Sequence, residues 1–227
     1  MTERSIPAGL SPIIIIKAGG SVTVKGFDSE LVTANTNDKS GLKIEKRSEA
    51  EFARARAAVG ETVLFDWRFK KPGVQESEEV IEVQFGGSGE VLVPFGATLK
   101  IYAGKEINAQ GIHGTVDAYA GSNVTLQDVD SLGNTSTGGA LNLDCKTMLG
   151  EKVEFNAGGD IRFHIHDLTS ALIRVRELGG FWEARIGDGL KAVSLKSGGD
   201  VTLVTDQKVE PMPPNYILGK IEKPPSA

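Results

Sequence analysis

The chain has 227 residues, 40% hydrophobic and 24% charged, with a formal net charge of −5. That length fits one domain of moderate size, and without a basic cluster there is no electrostatic basis for binding nucleic acid. A single cysteine, Cys145, excludes an intrachain disulfide framework and points to a reducing compartment.

In chain order, the first predicted element is the apolar run Ile13–Ile16, read as the first core strand. It is far too short to cross a membrane, which takes about 20 residues. No basic stretch leads into a long apolar segment, so neither a signal peptide nor membrane insertion is expected. The expected location is cytoplasmic, with the cell surface as the alternative.

The next segment, Ala18 to Val24, reads AGGSVTV. Degraded copies begin at Ala103 (AGKEINA), Ala120 (AGSNVTL), Thr137 (TGGALNL), Ala157 (AGGDIRF), Leu178 (LGGFWEA) and Ser197 (SGGDVTL), and from Ala103 onward the steps are 17, 17, 20, 21 and 19 residues. Aligned, the second position is always glycine: Gly19, Gly104, Gly121, Gly138, Gly158, Gly179 and Gly198. The fifth is apolar (Val22, Ile107, Val124, Leu141, Ile161, Trp182, Val201), the sixth polar, and the seventh apolar or small. This alternation has the period of a strand with one face buried.

Upstream of the glycine, Leu99 and Ile101, Val116 and Ala118, Val153 and Phe155, and Val193 and Leu195 keep the same parity. Each unit therefore reads as strand, glycine corner, strand, with a positive φ and no room for a side chain expected at the corner. Ser21, Asn123, Asp160 and Asp200, at the fourth position, have side chains suited to satisfying corner backbone groups. A unit of this length cannot cover its own apolar face, and stacking the units does so. The fold class predicted is all-β, a single-stranded β-solenoid of stacked coils about 17–21 residues long. A flat β-sandwich is the competitor, but the hairpin turns it needs are scarce in the sequence.

Between Lys25 and Val91 the repeat breaks down, and an irregular or helical insertion is placed at about 45–80. Ser48-Glu49-Ala50-Glu51 has capping-box spacing, with Phe52, Ala55 and Val59 as an apolar stripe and Gly60 as a stop. Strands are expected at Thr62–Phe69 and Glu79–Phe85. The insertion is read either as a cap on the terminal coil or as a docking site for a partner. The solenoid domain is assigned to residues 1–206. Residues 207–227 form a proline-rich tail (Pro211, Pro213, Pro214, Pro224, Pro225), a density expected to end β-structure.

His164 and His166 alternate on a strand and share one face, which makes them weak metal candidates, with Asp160 or Asp167 as a possible oxygen ligand. His113 falls coils away. The expectation is a solvated face and no metal centre. Gly158-Gly159-Asp160 and Gly198-Gly199-Asp200 look like calcium loops, but their spacing is about twice the nonapeptide period. Asp128, Asp130, Asp144, Asp188 and Arg185 are the material for a glycan-cleaving site, yet they read as scattered surface charge. Cys145 shares parity with Leu141 and Leu143 and reads as a small buried thiol. Trp67 and Trp182 read as packing residues, and no nucleotide loop is present.

The stretch Val91 to Val129, with Pro94 and Gly96 as lead-in and corners at Asn123-Val124, Asp160-Ile161 and Asp200-Val201, resembles the bacterial "putative adhesin" domains. The resemblance covers most of Ser21–Val24 and Val91–Asp206. It implies a repeat-built β-solenoid, and it brings no catalytic residues. The function expected is a non-enzymatic structural or protein-interaction scaffold, self-associating through its ends or tail, with no cofactor. Surface adhesion or carbohydrate binding is the first alternative, and a metal-dependent or glycan-active enzyme the second. Partners are expected to be proteins or further copies of the chain.

Overall fold

The computed structural model describes residues 2–38, 41–48, 79–148, 152–166, 172–177, 181–186, 191–204, 208–211 and 220–222. Every described element is a strand. The first seven are β1 (Thr2–Pro7), β2 (Ile13–Ala18), β3 (Val22–Phe27), β4 (Leu31–Thr36), β5 (Leu42–Ser48), β6 (Glu79–Phe85) and β7 (Gly89–Pro94). The middle of the chain forms β8 (Thr98–Ala103), β9 (Ile107–Ala120), β10 (Val124–Thr137), β11 (Leu141–Met148), β12 (Lys152–Ala157) and β13 (Ile161–Ile165). The remainder are β14 (Leu172–Glu177), β15 (Phe181–Ile186), β16 (Lys191–Ser197), β17 (Val201–Val204), β18 (Lys208–Pro211) and β19 (Lys220–Glu222).

These strands build two long ladders. In the first, β6, β2, β8, the second half of β9, the second half of β10, β12 and β16 pair parallel in that order. In the second, β7, β3, the first half of β9, the first half of β10, β11, β13, β17 and β19 pair parallel. Strands β9 and β10 pass from one ladder to the other. β9 bends at Gly111, with φ of 68°, and β10 at Asp128, with φ of 50°.

The core lies between the ladders. The fifth-position residues Val22, Ile107, Val124, Leu141, Ile161 and Val201 are all at most 3% exposed and stand at matched register positions. Leu99, Ile101, Val116, Ala118, Val153 and Phe155 are buried in the first ladder. Phe155 and Phe163 meet across the interior with ring centroids 5.2 Å apart. Fully burying each large side chain contributes about 1.5–3 kcal/mol, and this is why the period-two pattern fixes which face turns inward.

Of the two reasons expected for glycine at the corner, the lack of room for a side chain holds and the positive φ does not. None of the described corner glycines has positive φ; among the described residues the positive-φ glycines are Gly9, Gly41 and Gly111. The cause is close approach. A Cβ on Gly19 would lie 1.9 Å from the Gly86 carbonyl oxygen, one on Gly104 2.2 Å from that of Gly19, and one on Gly121 2.3 Å from that of Gly104. The series continues through Gly138 and Gly158 to Gly198, each against the carbonyl of the glycine before it in the stack, at 2.2–2.4 Å. Alongside, Gly19, Gly104, Gly121, Gly138, Gly158 and Gly198 each donate the N–H to the residue preceding the neighbouring corner, as in Gly121 to the Ala103 carbonyl at 3.1 Å.

Fourth-position side chains serve the next corner in the stack. The Ser88 hydroxyl accepts from the Ser21 N–H, the Asn123 amide oxygen from the Ala140 N–H, and the Asp160 carboxylate from the Asp200 N–H, each at 2.9 Å.

Four expectations need correction. The repeat does not lapse over the whole of 25–91: Phe85-Gly86-Gly87-Ser88 is a further corner, and its strands β6 and β7 pair with β2 and β3. The insertion placed at 45–80 opens as strand, since Ser48, the expected helix cap, ends β5, while β6 is the strand expected at Glu79–Phe85. The rest of the expected helix and the strand at Thr62–Phe69 lie outside the described residues. The copy at Leu178 does not enter the second ladder, because β15 pairs antiparallel with β14 and β16 while Ile161 pairs directly with Val201. Gly179 itself lies outside the described residues.

The tail also carries β-structure, since β18 joins β14 and β19 joins β17. Both segments avoid interior proline; Pro211, with no N–H to give, stands at the last position of β18.

At one end the parallel order stops. β5 covers β6 antiparallel, β4 covers β7 antiparallel, and β1 covers β4 antiparallel. Among the described residues no helix is long and apolar enough to cross a membrane.

Candidate functional site

Inward placement of Leu143, Cys145 and Phe163, each at most 1% exposed, turns Asp144 and His164 outward. β11 and β13 are parallel neighbours, and Asp144 is the register partner of His164. Just past the end of β13, the His166 backbone N–H still donates to the Cys145 carbonyl at 3.0 Å, which holds His166 beside the same carboxylate.

Three side chains converge as a result. His166 Nε2 is 2.7 Å from Asp144 Oδ1, and His164 Nδ1 is 3.4 Å from Asp144 Oδ2. The two imidazole centroids are 3.9 Å apart, with planes inclined by 47°. Exposure rises across the group, from 18% for His164 through 35% for Asp144 to 47% for His166. Two imidazoles and one carboxylate, open to solvent on one side, can share protons through hydrogen bonds or hold a cation.

The carboxylate beside the two histidines is Asp144. Asp160 is engaged at the Asp200 corner, and Asp167 lies outside the described residues. His113 stands apart, stacked on Phe95 with ring centroids 4.7 Å apart. A signal for Asp144 was present in the sequence: the copies beginning at Thr137 and Ala157, extended by one position, place Asp144 and His164 in the same eighth column.

Of the carboxylates in the glycan-cleaving arrangement, Asp128 and Asp130 face Lys146. Lys146 Nζ lies 2.6 Å from Asp130 and 3.8 Å from Asp128, and Asp130 holds the Lys146 ammonium above its ordinary range. Arg185 falls on β15, and Asp188 and Trp67 lie outside the described residues.

Cys145 is a free, fully buried thiol. Burial first, and the Asp144 charge second, push it up to about 12. The thiolate is the reactive form, so the group is inert at neutral pH. An aromatic disulfide reagent applied to the folded chain should label essentially no thiol at neutral pH, and one equivalent after denaturation. Rapid native labelling would contradict the burial.

On the second ladder, Thr23, Lys25, Asn108, Gln110, Thr125 and Gln127 line a shallow outward groove rich in hydroxyl and amide groups.

No protein-family model matches the chain, and no curated protein matches it. A crystal structure described as a "putative cell adhesion protein" from Clostridium sporogenes is similar to it at 10% identity and a TM-score of 0.35, over 98% of each chain. At that identity and score the likeness assigns neither a family nor an activity.

Proposed function

We propose that the chain is a β-solenoid, with coils of about 17–21 residues, that works as a non-enzymatic scaffold for protein association. The observation that carries this reading is the column of corner glycines, each packed on the carbonyl of the one before it, with buried apolar residues in register beside it. Such a stack is rigid, and it presents its outward strand faces in a fixed order. The antiparallel strands β1, β4 and β5 at one end support a finite particle, because a second parallel stack finds no matching edge there. Self-association then runs through the tail strands β18 and β19. The cytoplasm is the location this reading assumes.

Size-exclusion chromatography with light scattering tests the proposal. The expected result is a small discrete oligomer, compact in negative-stain images, whereas a monomer would favour the binding module below. Open-ended filaments formed by the native chain would overturn it.

A second reading, a carbohydrate-binding module, draws support from the hydroxyl and amide groove on the second ladder. Its test is a glycan array probed with the native chain and a Asn108→Ala/Gln110→Ala variant. Binding lost in the variant supports the module, and no glycan retained by either removes it.

A further inference from the structure

We propose that Asp144, His164 and His166 form a binding site for a divalent transition-metal cation of the zinc class. The argument begins with where the fold puts the three donors. Asp144 and His164 are direct partners on adjacent parallel strands, whose spacing of about 4.8 Å brings outward side chains of matched register into contact. His166 is two residues beyond His164 and returns to the same carboxylate.

One ligand atom from each residue lies within 4.8 Å of the other two. A tetrahedral zinc ion with bonds of about 2.0–2.1 Å holds its ligand atoms roughly 3.3 Å apart. His166 Nε2 is 2.7 Å from Asp144 Oδ1 and His164 Nδ1 is 3.4 Å from Asp144 Oδ2, so each imidazole already stands near that spacing from one oxygen of the carboxylate. The remaining closure is a small rotation of His166, the most exposed of the three, which stands beyond the last residue of β13.

Donor chemistry chooses the cation. Two imidazoles and one carboxylate suit zinc and its transition-metal neighbours, whereas calcium and magnesium take oxygen donors almost throughout. Three protein ligands leave the fourth tetrahedral position facing solvent, where a water molecule completes the shell. The ladder supplies rigidity: the buried pair Leu143 and Phe163 on one side of the Asp144–His164 pair, and buried Cys145 on the other, prevent the two strands from sliding.

A purely hydrogen-bonded role for the three groups makes a different prediction, and the experiment separates the two. The full-length chain, freed of metal with a chelator, is titrated with Zn²⁺ alone by calorimetry, and Co²⁺ is used as a spectroscopic probe. The site requires one equivalent of Zn²⁺, a raised melting temperature, and a Co²⁺ visible absorption typical of low coordination number. His164→Ala and His166→Ala should each weaken Zn²⁺ binding at least about tenfold, and the double variant should lose the Co²⁺ absorption. Asp144→Asn keeps an acceptor for an imidazole N–H but loses the anionic ligand, so it too should weaken binding while the metal-free melting temperature stays close to that of the native chain. His113→Ala should bind as the native chain does. The proposal is overturned if the native chain takes up no Zn²⁺, if the double variant binds it unchanged, or if Ca²⁺ displaces it at comparable concentration.

Discussion

Replacing Gly121 by alanine should lower the stability of the fold by about 3 kcal/mol, at the upper end of what overpacking a well-filled site costs. The new Cβ would sit 2.3 Å from the Gly104 carbonyl oxygen and 3.2 Å from its carbon, and both are backbone atoms that no rotamer change can move. Backing the corner away would stretch the Gly121 N–H bond to Ala103, now 3.1 Å, and disturb Gly138, which packs on the Gly121 carbonyl from the other side. For a chain of this size the loss corresponds to a fall in melting temperature of about 6–12 °C, read by far-ultraviolet circular dichroism. Lys105→Ala, at the adjacent exposed corner position, should stay within about 0.5 kcal/mol.

Gly9 separates the two reasons for glycine. It has φ of 73° and open space where a Cβ would go, so alanine there should cost about 1–2 kcal/mol. Asparagine, which tolerates the left-handed region, should recover much of that loss at Gly9 and none of it at Gly121. Equal recovery at both sites would mean that conformation, and not close approach, governs the corners.

The inward columns were legible because burial imposes a period of two on the sequence, and Val22, Ile107, Val124, Leu141 and Ile161 carry it without a break. The corner at Gly86 was harder to see, since Gly89 takes the place of the apolar fifth residue and the copy is separated from Gly19 by a long excursion. Leu178-Gly179-Gly180 has the corner spelling, yet its flanking strands pair antiparallel. Alternation records which face is buried and says nothing about the direction of the neighbour. The tail strands β18 and β19 are four and three residues long, too short for a periodic signal between prolines.

The histidine pair was visible from its spacing, whereas its carboxylate partner showed only through the shared repeat column. A carboxylate 20 residues upstream of His164 reaches it only through the parallel register of β11 and β13. Asp160, nearer in sequence, is drawn to the corner, where an unsatisfied Asp200 N–H would otherwise be left. Proximity along the chain was thus the wrong guide, and the repeat column was the right one.

The end cap gives the second large effect, on assembly state. In an antiparallel pair, successive residues of an edge strand turn their N–H groups alternately toward and away from the neighbour. Of Arg4 and Ser5, which pair with Ala34 and Thr33, one therefore donates to β4 and the other does not. Arg4→Pro/Ser5→Pro removes the bonded N–H whichever residue carries it, and β1 should detach. That uncovers the edge of β4, a strand whose Val32 and Ala34 are fully buried and whose backbone would then present unpaired groups along its length. Natural edges guard against such pairing with charge and proline, and Glu3, Arg4 and Pro7 place both on β1. The double-proline chain should show at least about a doubling of weight-average mass by light scattering at concentrations where the native chain does not change. Melting should shift little, because most of β1 is exposed and only Ile6 packs against the core. If the variant keeps the native mass, the unpaired edge of β4 is harmless and β1 is not a guard against association.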